Sequence, residues 1–368
     1  MVARRASDLA DAADRARAVA DEVLFPRAGE TDRAPLVPRR NLEALRDAGL
    51  FGLFAPAGLP GGLGAGHAEA RPVLEAVAGG CGATAFVWAQ HHGAVRRIAG
   101  GAGPARDTWL PRVCDGSTLA GIGFAYLRRP GPPAVRATRI SGGWRLDGRA
   151  PWITGWGLID ALVAMARADD GSVVSVVIDR PELQPALRAG EQQALAVMGA
   201  TGTVALGFDG VVCADEDVIG VQPSEAWRRR DRLGSALPLP APLGIADRAI
   251  RLLGERATLP GMASAVASLG ASLADRRDRA DAVAALVSGS LFADDPIEDA
   301  VAEGAAERDR GLDLARRSTD ALVAASGGGA MSLEHPAQRL SREAGFYLIQ
   351  AQTGELRAAS LARLAGSS

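Results

Sequence analysis

Between Gly143 and Gly155 the chain reads Gly-Trp-Arg-Leu-Asp-Gly-Arg-Ala-Pro-Trp-Ile-Thr-Gly. Asp147-Gly148 between apolar runs predicts a hairpin turn joining two strands. Residues two apart on a strand share a face, so Trp152 and Thr154 are expected side by side. A flat indole beside a hydroxyl offers a planar heteroaromatic ligand one stacking surface and one hydrogen bond. The same pattern also describes two core-facing strand residues beside a turn. A second candidate pair is His91 and His92, on a predicted helix from Gly82 to Ala99. The apolar stripe of that helix runs Thr84, Trp88, Val95 and Ala99. At 100° per residue the two histidines lie about 50° to either side of it, where they would flank a pocket as acid–base groups. Alternatively, one is a satisfied buried histidine and the other faces water. Adjacent helical histidines diverge by about 100°, and no carboxylate follows at helical spacing, so a metal site is not expected.

The elements that must hold these groups follow from the pattern of the whole chain. At 368 residues it can bury a substantial core and form two or three subdomains. The formal net charge is −2, which points to neither nucleic acid nor an anionic membrane as partner. All 41 basic residues are arginine, which excludes a phosphate-loop or Schiff-base lysine. Cys81, Cys114 and Cys213 lie far apart and read as free thiols. No apolar run approaches the roughly 20 residues that span a bilayer, and the N-terminal stretch lacks a signal-peptide core. The expectation is a cytoplasmic protein.

Residues 1–116 read as a helical domain, with helices at Leu9–Leu24, Leu36–Ala48 (capped by Gly49), His67–Ala78 and Gly82–Ala99. The Gly-rich run Phe54–Gly66 follows a helix rather than a strand, so it is not a dinucleotide fingerprint. Residues 117–219 switch to short apolar runs separated by turn signals, as in a small β-barrel or sandwich. The runs are Leu119–Phe124, Val135–Ile140, Trp144–Leu146, Leu158–Ala166, Val173–Ile178, Ala194–Met198, Val204–Phe208 and Val211–Ile219. Residues 220–368 return to helix: Ser224–Leu233, Pro242–Glu255, Met262–Ser288, Pro296–Ala325 and Pro336–Leu364, with a break at Gly327–Gly329.

With this order in place, several stretches resemble the acyl-CoA dehydrogenase superfamily. Trp152-Ile153-Thr154 matches its Trp-Ile-Thr signature, although Ala150 stands where the family has Lys. The Gly-rich loop to Gly66, Met198-Gly199 with Phe208 and Val211, and Gly327-Gly328-Gly329 with Arg339, Arg342 and Glu343 resemble its further anchors. The resemblance implies an α+β fold with an N-terminal helical domain, a middle β-barrel domain and a C-terminal helical bundle. It also implies a flavin, FAD or FMN, held by Trp152, Thr154, Arg256, Thr353 and Glu355.

Three departures bear on function. Ala351 falls where most members carry the glutamate base; Asp231, Glu225 and Glu355 are the carboxylates that could replace it. The loop Phe124–Pro133 lacks the family's hydroxyl and Ser. By the resemblance Phe124, Tyr126, Arg128, Arg129 and Ala351 border the substrate. Arg256–Gly261 only partly matches the segment that holds the adenosine of FAD. The leading expectation is an atypical flavin oxidoreductase that oxygenates or oxidises a small molecule, with His91 and His92 catalytic and a flavin reductase as partner. The alternatives are an acyl-CoA or acyl-carrier thioester dehydrogenase with a relocated base, and a flavin-free enzyme or binding subunit. A homodimer or homotetramer is expected in each case.

Overall fold

The computed structural model describes residues 2–255, 259–291 and 296–366, with side chains from residue 7. The first part is helical: α1 (Val2–Ala18), α2 (Ala28–Arg33), α3 (Arg39–Asp47), α4 (His67–Gly80), α5 (Gly82–Ala99) and α6 (Pro104–Cys114). Between α1 and α2 the chain stays wound, through a π-helical stretch at Val19–Leu24. Gly49 follows α3 with φ +69°, the left-handed conformation expected of a helix-ending glycine.

The middle part holds β1 (Ala120–Gly123), β2 (Val135–Ile140), β3 (Gly143–Ile153), β4 (Ala161–Ala168), β5 (Val173–Asp179), β6 (Leu187–Gln192), β7 (Val204–Ala214) and β8 (Val218–Gln222). They form one sheet in the order β6-β7-β3-β2-β4-β5-β8, with β1 paired to β4 in parallel. β4 and β5 are buried along nearly their whole length, which explains their continuous apolar runs.

Here the structure corrects the predicted hairpin. Asp147 and Gly148 lie inside β3, a strand of 11 residues paired on both sides. The second Asp-Gly, Asp209-Gly210, lies inside β7. The register passes from Leu146↔Val211 to Asp147↔Asp209, so Gly210 is the extra residue of a bulge. Its φ of +69° suits glycine, and its N–H donates to Asp147 Oδ1 at 3.0 Å. The turn between β2 and β3 lies at Ser141-Gly142, where the sequence also carries a turn signal.

The last part is helical: α7 (Ser224–Ala236), α8 (Pro240–Glu255), α9 (Met262–Ser290), α10 (Glu298–Ser326), α11 (Pro336–Phe346) and α12 (Gly354–Leu364). The single helix expected over residues 336–364 is broken between α11 and α12 by turns. A main core joins α1, α4 and α5 to the sheet and to α8, α9 and α11. Arg71 binds Glu75 (2.8 Å) and Asp281 (2.6 Å), tying α4 to α9. No described helix is long and apolar enough to cross a membrane.

Candidate active site

A cleft of about 990 Å³ opens where the β part meets the C-terminal helices. That is near the upper end of the roughly 300–1,000 Å³ common for small-molecule sites. Its walls come from the loop after β1, the end of β3, Arg167 on β4, α7, and the segment from Ile349 into α12. Eight residues singled out from the sequence line it together: Tyr126, Arg128, Arg129, Trp152, Asp231, Ala351, Thr353 and Glu355. Trp152 is 51% exposed, a large indole face left uncovered by the fold.

The polar groups of the cleft are mostly engaged. Arg128 grips Asp231 with two bonds, Nε to Oδ2 at 2.7 Å and Nη2 to Oδ1 at 2.8 Å, and also donates to Ser235 Oγ at 3.0 Å. Arg128 sits 5.3 Å from the centre of the Phe124 ring, so Phe124 supports the wall without lining it. The Tyr126 hydroxyl donates to Met165 O at 2.6 Å, and burial pushes its pKa upward, so it stays neutral. Thr353 caps α12 by accepting from the Leu356 N–H at 3.3 Å. Glu355 accepts from Arg232 Nη2 at 2.9 Å. The lining carboxylates are Asp231 and Glu355, against six arginines: Arg128, Arg129, Arg167, Arg228, Arg232 and Arg357. For a chain of net charge −2 this is a local concentration of positive charge, suited to an anionic ligand.

Other sequence candidates lie elsewhere. β3 ends at Ile153, and Gly155 turns the backbone inward with its N–H on Thr201 O. Thr154 is therefore buried, with its hydroxyl 3.1 Å from Thr203 Oγ1, and it does not share the cleft face of Trp152. His91 and His92 are also outside the lining. His91 accepts the Ala120 N–H at Nδ1 (3.1 Å) and donates from Nε2 to Phe51 O (3.3 Å). Burial lowers its pKa to about 4. His92 packs against Trp88 and Phe54, with ring centres 4.2 and 5.2 Å apart. Neither of its nitrogens has a hydrogen-bond partner among the described residues. The expectation that they flank the pocket fails because α5 is buried on nearly every face, so its apolar stripe does not mark one inner side. Arg256 lies outside the described residues. Glu225 does not line the cleft.

Arg167, Trp227, Arg228, Arg232, Gln352 and Arg357 also line the cleft, beyond the residues expected from the sequence. The run Trp227-Arg-Arg-Arg-Asp-Arg232 was visible and carried a signal: basic residues four apart on α7 share a face.

A helical part, a single sheet and a second helical part, with a cleft between the last two, define a class of enzyme fold. The sequence model "Acyl-CoA dehydrogenase, N-terminal domain" matches residues 7–117. The 3-sulfinopropanoyl-CoA desulfinase of Variovorax paradoxus is 30% identical over 168 residues, 43% of this chain and 40% of that protein. The chain thus matches about two fifths of the length of that relative. The benzylmalonyl-CoA dehydrogenase of Aromatoleum aromaticum is 24% identical over 91% of this chain and 92% of that one. Among solved structures, butyryl-CoA dehydrogenase from Megasphaera elsdenii superposes with a TM-score of 0.80 at 20% identity, covering 97% of both chains. The dibenzothiophene monooxygenase TdsC from Paenibacillus sp. A11-2 gives 0.78 at 18% identity, again over 97% of both. The chain has the acyl-CoA dehydrogenase fold, and its first third matches the N-terminal domain of that family.

Proposed function

We propose that the chain is a flavin-dependent oxidoreductase that oxidises an acyl thioester, of the acyl-CoA kind, in this cleft. The observation that carries the reading is the exposed Trp152 indole on the wall of a large, arginine-rich cleft. The relatives support it: the desulfinase and the benzylmalonyl-CoA enzyme are both named for CoA thioesters. In both names the acyl part carries an acid of its own, a sulfinate or a malonyl carboxylate.

The residues fit a flavin in part. Trp152 gives its ring a surface to stack on, and the N-terminus of α12, with Thr353 and Gly354 on the cleft wall, favours a negative group. Thr154 would have to leave Thr203 to contribute its hydroxyl. A flavin bound there supplies the acceptor for the hydride that leaves the substrate β-carbon. The protein's own part is to orient the thioester and take the α-proton. Asp231 is the deeper-set of the two lining carboxylates, with 11% of its side chain exposed against 53% for Glu355. We assign it the proton, with Arg128 fixing its orientation. The oxygenating reading, with His91 or His92 as acid–base group and a flavin reductase as partner, has less support, because both imidazoles lie outside the cleft lining. A homodimer or homotetramer fits the exposed Met331, Leu333, Leu361 and Leu364 of the C-terminal part.

The visible spectrum of the protein titrated with FAD and with FMN tests the reading. The expected result is a bound flavin that bleaches with an acyl-CoA under anaerobic conditions. Trp152→Ala should weaken flavin binding about tenfold, from lost stacking, while leaving the melting temperature unchanged because the indole is exposed. Failure to bind either flavin would overturn the proposal.

A further inference from the structure

We propose that the deep wall of the cleft receives a second acidic group on the acyl part of the thioester, with Arg128 as the contact residue and Arg308 as the charge behind it. This rests on the reading that the cleft takes an acyl thioester.

Arg128 spends Nε and Nη2 on Asp231 and Ser235. Its Nη1 makes no hydrogen bond among the described residues, and its side chain lines the cleft. Asp231 neutralises Arg128 one for one. Arg308, on α10, then adds a positive charge that no carboxylate among the described residues answers. It is 2% exposed. Its bonds run to main-chain oxygens only, Nη1 to Ser235 O at 2.9 Å and Nη2 to Gln350 O. Its Nε has no partner among the described residues. Burial and the charge of Arg128 push its pKa down to about 10.

Ser235 joins the two arginines, accepting from Arg128 at Oγ and from Arg308 at its carbonyl. Arg167, on the same cleft, donates to Leu127 O at 3.1 Å, and its Nε is also buried without a partner among the described residues. Of these three guanidinium groups, Arg128 alone is paired with a carboxylate among the described residues, that of Asp231. A buried, uncompensated cation is costly, and an anion placed against it recovers that cost. A planar guanidinium edge suits a planar carboxylate, or a sulfur oxyacid of like charge. The exposed Arg228 at the rim is free to meet the phosphates that all CoA thioesters share, so the buried wall is what can distinguish one acyl group from another.

Calorimetric titration with matched pairs tests this: succinyl-CoA against butyryl-CoA, and glutaryl-CoA against pentanoyl-CoA. Each pair differs only at the acyl terminus, so phosphate binding cancels. The protein should bind the acid member at least tenfold more tightly. The Arg128→Gln/Asp231→Asn variant keeps the pair neutral; it should lose that preference and still bind butyryl-CoA. Arg308→Gln should reduce the preference by a smaller factor, and if circular dichroism shows it unfolded, the double variant decides. Equal affinity within each pair, or a preference that survives in the double variant, would overturn the inference and leave the thioester reading standing. Absence of binding to all four thioesters would overturn both.

Discussion

Ala351 is held with φ +51°, a left-handed conformation that costs an L-residue roughly 1–2 kcal/mol. The fold imposes it: α11 stops at Phe346, the chain must reach the start of α12 at Gly354, and Arg308 pins the carbonyl of Gln350 just before the strained residue. The strained residue lines the cleft, where backbone strain is most often retained. Glycine adopts this conformation freely but loses more chain entropy on folding, about 0.5–1 kcal/mol. Ala351→Gly should therefore raise the unfolding free energy by about 0.5–1 kcal/mol in urea titrations. Ala351→Val, β-branched and poorly suited to positive φ, should lower it by more than about 1 kcal/mol. If glycine proves destabilising, the turn is not strained.

Several deeply placed polar groups join elements across the molecule. On α11, Arg339 donates to Glu343 at 2.9 Å, and both side chains are 3% exposed. The same Glu343 oxygen accepts the Gly82 N–H at 3.2 Å, so the pair fastens the C-terminal part to the first turn of α5. A Cβ on Gly82 would sit 2.7 Å from Glu343 Cδ, so only glycine allows the approach. Removing one member of a buried pair leaves the other charge unpaired, at a cost of about 3–5 kcal/mol. Glu343→Ala should lose that much in equilibrium unfolding, and Arg339→Met/Glu343→Leu should recover most of it. A double variant as weak as the single one would mean that shape, not charge, makes the joint.

Element types were largely legible in the sequence, because each has its own period: α5, from Gly82 to Ala99, and β2, from Val135 to Ile140, fall where the pattern puts them. What failed was local. Asp147-Gly148 and Asp209-Gly210 both look like turns, yet Asp147 pairs with Asp209 across β3 and β7, and Gly210 is the extra residue of a bulge. No single stretch of sequence reveals that it will be paired on both sides. The break after Phe346 was equally hidden, since helical spacing of Ala344, Tyr347, Leu348 and Ala351 continues through it. The site followed the same rule. Residues tied to a motif, such as Trp152 and Thr353, line the cleft, whereas Arg167 and Arg357 reach it only through tertiary packing.

At the scale of the whole molecule, the buried imidazoles couple folding to pH. His67 and His91 are both lowered to about 4, first by burial, and His92 lies well below its ordinary value for the same reason. Each is depressed below the value of about 6.5 that it takes in the unfolded chain. Between pH 6.5 and 4 the unfolded chain therefore binds more protons than the folded one, and stability rises with pH across that window. The contribution is complete above about pH 6.5 and is lost progressively down to about pH 4. For His91 alone the gap amounts to roughly 3 kcal/mol. Glu343, raised by burial, runs the opposite way, so the informative quantity is the difference between the protein and a variant. His92 is the one to replace, since its nitrogens have no partner and an apolar ring fits the Trp88–Phe54 cluster. His92→Phe should raise stability by about 1 kcal/mol at pH 7, by removing a buried unpaired polar group. The gain should be larger at pH 5, where the lost titration adds to it. Urea unfolding at the two pH values measures both. An equal gain at pH 7 and pH 5 would mean that His92 takes up its proton in the folded state, and hence that water or a ligand reaches α5, which would restore the imidazoles as candidates for the chemistry.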